Sequence, residues 1–390
     1  MLSNWERFMT KNYKKVRERC RKGIPPSVRP RAWLYLCGGK LLLEQRRNLY
    51  AQLAAQDGDP RWVDDIRKDL HRQFPYHEMF IDQEGHGQQD LFHVLKAYSI
   101  LNTSVGYCQA QAPLAAFLLM HMPAEQAFWC LVSICDKYLA GYYSQGMETL
   151  QVDGDILFGL LKKVTPSVYK HLKKQKVEPI LYMTEWFLCV FTRTLPWDTI
   201  LRIWDMFLCE GVKIIFKVAL VVLKFSLGRQ GILKRCPTMY ETLEVLRNPP
   251  QEILEEEFVV YQMHRLNLSD EDFEYEHQRQ LAKRRAAKEN GKRSGRRFSG
   301  SSSTARRLSP SATSQGDSHL TAIGENSEVA ILAAVAVNPR ETFTNHAQVN
   351  RHQQTSLADK YELGDKYPFS IHSIIKHGNK KPGEWYGPHS

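Results

Sequence analysis

The chain has 390 residues, with 53 Lys and Arg against 42 Asp and Glu and a net charge of +11. That length allows two or three domains, or one large domain with appended segments. No apolar run reaches the ~18 residues of a membrane span. Residues 1–10 carry Trp, Glu and Arg where a signal peptide needs an apolar core, so a cytoplasmic protein is expected, peripheral at membranes at most.

The charge is uneven. Ten Lys and Arg against the single Glu289 fall within residues 283–307, so most of the excess is local and the remainder is near neutral. The basic balance therefore does not imply a nucleic-acid-binding domain. The eight cysteines show no C-x-x-C and no zinc-finger spacing with His. They read as reduced, buried thiols.

Residues 5–22 read as a basic helix, broken by Gly23-Ile24-Pro25-Pro26. Ser27 caps a helix over 28–37, which Gly38-Gly39 closes. Helix continues over 41–53. Asp59-Pro60 is a helix start, a capping side chain followed by proline at the first position. Pro75 marks its end. Between them Val63, Ile66, Leu70 and Phe74 make one apolar stripe. At about 100° per residue Arg72 falls opposite that stripe, pointing outward.

A loop and a helix over 90–101 follow. Asn102 to Gly106 reads as a turn. Gln109 then stands at the entry to an apolar helix over 114–120. Further helices are predicted over 124–139, 151–164, 178–194, 198–210, 213–227, 238–247 and 251–263. No strand series with period-two alternation appears, so the fold class is all-α with short loops. No glycine-rich turn follows a strand, so the chain is not expected to bind nucleotide itself.

Composition changes after Leu266. An acidic stretch, 269–276, precedes the basic run, and disorder is expected from about Ala286. Arg296-Arg297-Phe298-Ser299 and Arg306-Arg307-Leu308-Ser309 share an R-R-x-S pattern that basophilic kinases accept. With Phe298 as its one aromatic, the basic run lacks the stacking residues of a nucleic-acid binder. It reads as a solvated linker first, and second as a segment attracted to anionic membrane. The domain reading is a basic helical segment over 1–22, one helical domain over 23–265, and a charged, largely disordered tail over 266–390.

Four blocks, in order, carry a resemblance. They are Gly23-Ile24-Pro25-x-x-Val28-Arg29-x-x-Ala32-Trp33, Ile66-x-x-Asp69-x-x-Arg72, Tyr107-x-Gln109, and Leu201-Arg202-Ile203-Trp204-Asp205. Together they resemble the TBC family, GTPase-activating proteins for Rab GTPases that regulate membrane traffic. Gln73-Phe74-Pro75, Gly87-Gln88-Gln89-Asp90 and the run 120–129 make the carabin-like group the nearest match. Gln73, Ala110 and Trp197 depart from the residues common in the family.

The resemblance implies that Arg72 is an arginine finger and Gln109 a glutamine finger, both acting on a partner's GTP. It implies that Asp69 orients Arg72 and that Tyr107 holds the Gln109 loop. The implied partner is a GTP-bound Rab protein. Magnesium and GTP belong to that partner, so no cofactor of the chain's own is expected. Two alternatives stand beside this reading: a non-catalytic GTPase-binding scaffold, and action on a Ras-class GTPase. Of the structural residues, Trp33 is expected in the core, and Arg29 is expected to pair with a buried carboxylate.

Overall fold

A computed structural model describes residues 5–82 and 85–298, and no strand occurs among them. The first helices are α1 (Trp5–Lys22), α2 (Arg29–Leu36), α3 (Gly39–Gln45), α4 (Leu49–Ala55) and α5 (Pro60–Leu70). The middle of the chain forms α6 (His86–Leu101), α7 (Gln111–Leu119), α8 (Ala124–Ser133), α9 (Glu148–Val164), α10 (Pro166–Lys174) and α11 (Ile180–Leu188). Then come α12 (Trp197–Glu210), α13 (Lys213–Leu227), α14 (Ile232–Arg235), α15 (Met239–Arg247), α16 (Glu256–Arg265) and α17 (Asp270–Phe298). None of the helices among the described residues is long and apolar enough to cross a membrane.

The centre of the core is α7, whose nine residues are all buried. A helix apolar all round has no solvent face and must be wrapped by others. Here α6, α8 and α5 pack on it. Phe117 of α7 meets Trp33 at 5.7 Å and Trp204 at 4.7 Å between ring centroids, which ties α2 and α12 to the same centre.

The opening block is fastened to α12 by one carboxylate. Asp205 is fully buried and accepts the Ile24 N–H at 2.7 Å, Trp33 Nε1 at 2.7 Å and Arg29 Nε at 3.2 Å. Trp33 is in the core and Arg29 has its buried carboxylate, as the sequence indicates. A buried charge is tolerated only when it is paired and its remaining lone pairs are satisfied, and Asp205 meets both conditions. Arg21 of α1 adds a two-pronged bond to Glu210, at 2.7 and 2.5 Å. Thus α1 is packed on the domain rather than set apart from it.

Several predicted helices are shorter or divided. The helix expected over 41–53 breaks at Asn48, whose φ of 65° is left-handed, giving α3 and α4. The helix expected over 124–139 changes to a π turn over Ile134–Tyr138. The helix expected to reach residue 194 stops at Leu188, because Val190 and Phe191 both take left-handed φ, 47° and 60°. The short helix α10 had a start signal, Thr165-Pro166, that periodicity passed over.

The last helix matters most for the domain edge. Phe273, Glu276, His277 and Gln280 of α17 are buried. Phe273 packs edge-on against Phe216 of α13 at 5.9 Å. Arg284 pairs with Asp155 of α9 at 2.7 Å, and Lys163 of α9 with Asp272 at 2.5 Å. Gly159 of α9 leaves the gap that Glu276 fills, since a Cβ there would lie 1.9 Å from its carboxylate oxygen. The packed unit thus extends through at least Arg284, beyond the boundary drawn at 265. Ser299, Ser309 and the rest of the tail lie outside the described residues.

Candidate active site

The site begins at the end of α5. Asp59 caps its start, accepting the Arg61 N–H at 2.9 Å. The helix does not run on to Pro75. Gln73 Nε2 donates to the Asp69 carbonyl at 2.9 Å, occupying the acceptor that another helical turn would use. The Gln73 N–H goes instead to the Leu70 carbonyl at 3.2 Å, and Phe74 turns left-handed with φ 45°. Arg72 therefore stands in the turn after α5, not on an outward helix face as expected. It is half-buried, its side chain 34% exposed, with Nε enclosed.

Asp69 faces inward at 7% exposure. Its Oδ1 accepts Arg72 Nη2 at 2.5 Å. Its Oδ2 accepts the Tyr107 hydroxyl at 2.6 Å. One carboxylate thus joins the Arg72 turn to the loop that leads to Gln109. Burial raises the Asp69 carboxyl above its ordinary pKa, while the Tyr107 hydroxyl and the Arg72 guanidinium work against that rise. Burial, and then the Asp69 charge, hold the Tyr107 phenol well above its usual range, so it is a hydrogen-bond donor.

A second contact brings the same two segments together. Gly106 has φ +65°, and a Cβ there would lie 2.3 Å from the Trp62 ring of α5. Only glycine fits against that indole in that conformation. Gln109 follows two residues after Tyr107, half-buried in the turn that enters α7.

Of the four residues singled out in the sequence, Asp69, Arg72 and Tyr107 form one connected group, and Gln109 lies on the loop that Tyr107 anchors. Gln73, Trp62 and Gly106 went unread as parts of the site. Gln73 had a signal, a polar residue in register with the apolar stripe. The Trp62–Gly106 approach spans two distant segments and has no local signal.

The Rab-GTPase-TBC domain family model matches residues 26–233, which contain this whole group. The chain belongs to the Rab-GTPase-TBC domain family. TBC1 domain family member whacked of Drosophila melanogaster is 59% identical over 284 residues, 73% of this chain and 78% of that protein. TBC1 domain family member 10A of Mus musculus is 58% identical over 281 residues, 72% of this chain and 56% of its own length. Carabin of Mus musculus is 50% identical over 282 residues, 72% of this chain and 64% of its own. These relatives set the chain in the carabin-like group of TBC proteins. The crystal structure of the Chlamydomonas flagellar RabGAP TBC domain matches with a TM-score of 0.57 at 27% identity, over 66% of this chain and 88% of that one.

Proposed function

We propose that this TBC protein accelerates GTP hydrolysis by a GTP-bound Rab-family GTPase, with Arg72 and Gln109 acting in trans. The observation that carries the proposal is the Asp69 carboxylate, which holds Arg72 with one oxygen and the Tyr107 hydroxyl with the other. Two segments far apart in sequence share one rigid support, beside a helix end and a loop.

The chemistry suits these side chains. GTP hydrolysis builds negative charge around the γ-phosphate, and water must be aligned for in-line attack. The guanidinium carries a fixed charge and a planar fork matched to phosphate oxygens. An arginine supplied in trans is worth roughly 10³–10⁵ in rate. The Gln109 amide can accept from the attacking water and donate to the γ-phosphate. Asp69 limits the freedom of Arg72 before the partner docks, which lowers the ordering cost of binding. Magnesium and nucleotide arrive with the partner.

A panel of GTP-loaded Rab and Ras proteins, assayed for phosphate release with and without the chain, tests this reading. Stimulation of one or more Rab proteins is the expected outcome. Stimulation of a Ras protein alone would change the substrate class. Binding without stimulation across the panel would make the chain a scaffold.

A further inference from the structure

The turn that carries Gln109 is closed from behind by Gln111, a side chain with no part in the scheme above. Gln111 is the first residue of α7 and is 0% exposed. The eight residues after it, through Leu119, are all apolar and buried. An amide without partners in such a place is costly, because nothing there replaces its hydrogen bonds to water. Gln111 has partners on both atoms. Its Oε1 accepts the Cys108 N–H at 3.0 Å, and its Nε2 donates to Cys135 Sγ at 3.8 Å.

The backbone repeats the first link, with the Gln111 N–H donating to the Cys108 carbonyl at 2.8 Å. Residues 108 and 111 therefore exchange two hydrogen bonds around the Gln109–Ala110 pair. Cys135 belongs to the π turn over Ile134–Tyr138, so the amide also ties the Gln109 turn to the core behind it. On the other side the Ala110 carbonyl receives Cys189 Sγ at 3.9 Å. Cys189 directly precedes the left-handed pair Val190 and Phe191. Methionine would fill the space of Gln111 without burying an amide. What it cannot do is accept the Cys108 N–H with an oxygen.

We propose that Gln111 is a positioning residue for Gln109. Its bond to the Cys108 N–H holds the 108–110 turn in the conformation from which the Gln109 amide reaches the attacking water. The inference rests on the reading of Gln109 as the water-aligning residue.

The test is single-turnover and steady-state GTP hydrolysis by a responsive Rab, with the full chain as activator. Gln111→Met and Gln111→Leu are each made alone and in a Gln109→Ala background, with thermal melts on all variants. Two variants of different shape are used so that loss of fold in one leaves the other to decide. In the wild-type background either variant should lower the stimulated kcat by about tenfold, roughly 1.4 kcal/mol, with KM within about twofold. In the Gln109→Ala background the same change should alter the rate by less than about twofold, because there is no amide left to position. An unchanged kcat in a folded Gln111 variant would overturn the proposal. So would an equal loss in both backgrounds, which would mean that Gln111 serves the fold alone. A Gln109→Ala protein as active as wild type would instead remove the underlying reading of Gln109.

Discussion

The Tyr107 hydroxyl donates to Asp69 Oδ2 at 2.6 Å, while the other oxygen of that carboxylate holds Arg72 at 2.5 Å. The tyrosine therefore acts on the arginine through a shared carboxylate. Tyr107→Phe leaves a buried Asp69 oxygen without its donor, which costs about 1–3 kcal/mol of stability. The stimulated rate should fall by about tenfold, roughly 1.4 kcal/mol of barrier. Denaturant melts and phosphate-release assays on the same preparation check both. A Tyr107→Phe protein with normal stability and normal rate would show that the bond is idle.

Asp205 predicts a larger structural effect. It is the acceptor for Ile24, Arg29 and Trp33 at once. Asp205→Ala leaves the Arg29 guanidinium, 11% exposed, without its carboxylate. Breaking one side of a buried pair costs about 3–5 kcal/mol. Urea unfolding should show that loss. Arg29→Met together with Asp205→Leu, which removes both charges, should recover part of it.

Asp153 of α9 gives a pH prediction. It is 1% exposed, its carboxylate accepts the Tyr142 hydroxyl, and burial pushes its pKa from 3.8 up to about 7. The folded state thus holds a proton that the unfolded state releases. The contribution to stability is full below about pH 4, is lost as pH rises through about 7, and is level from roughly one pH unit above that. Asp153→Asn removes this dependence. Its stability relative to wild type should rise between about pH 5 and 7, by an amount on the order of 2–4 kcal/mol. Urea melts across that range check it, and a constant difference would contradict it.

The α17 contacts predict that the domain cannot be trimmed at its compositional break. A chain ending at Leu268 loses Phe273 from against Phe216 and exposes the groove at Gly159. Fully burying a side chain such as Phe is worth about 1.5–3 kcal/mol. The truncated protein should melt several degrees lower than one ending at residue 298. Equal melting temperatures would make α17 an ornament of the fold.

What the sequence made legible was the chemistry in blocks and the polarity of each helix. Trp33 and Arg29 announced a core indole and a buried pair, and the four blocks carried Arg72 and Gln109. Helix ends were harder, because side-chain bonds and packing set them rather than propensity. Pro75 looked like the stop of α5, yet the Gln73 amide ends it earlier by taking the Asp69 carbonyl. The left-handed Val190 has no propensity to mark it, since β-branched residues avoid that region. A tertiary partner helps hold it there, Trp204 Nε1 donating to its carbonyl at 3.2 Å, beside a local helix-end bond from the Phe191 N–H back to the Trp186 carbonyl at 2.8 Å. The packing of α17 was hidden by its charge, because Glu276 is buried only where Gly159 makes room.

The proposed mechanism rests on two side chains, Arg72 and Gln109, acting on the partner's phosphate. The direct measurement is single-turnover GTP hydrolysis by a responsive Rab whose own catalytic glutamine is replaced. It is run with wild type, Arg72→Lys, Gln109→Ala and the double variant. Lysine keeps a charge beside Asp69 but lacks the planar fork, so the fold should hold within about 1 kcal/mol while rate stimulation falls by about 10³ or more. Gln109→Ala should lose most of the stimulation as well, and the double variant should lose less than the product of the two. On the proposed role of Gln109 as the donor of that amide, the glutamine-less Rab should still respond to wild type. A folded Arg72→Lys protein that keeps activity within a factor of a few, or a glutamine-less Rab that no longer responds to wild type, would contradict the two-residue mechanism.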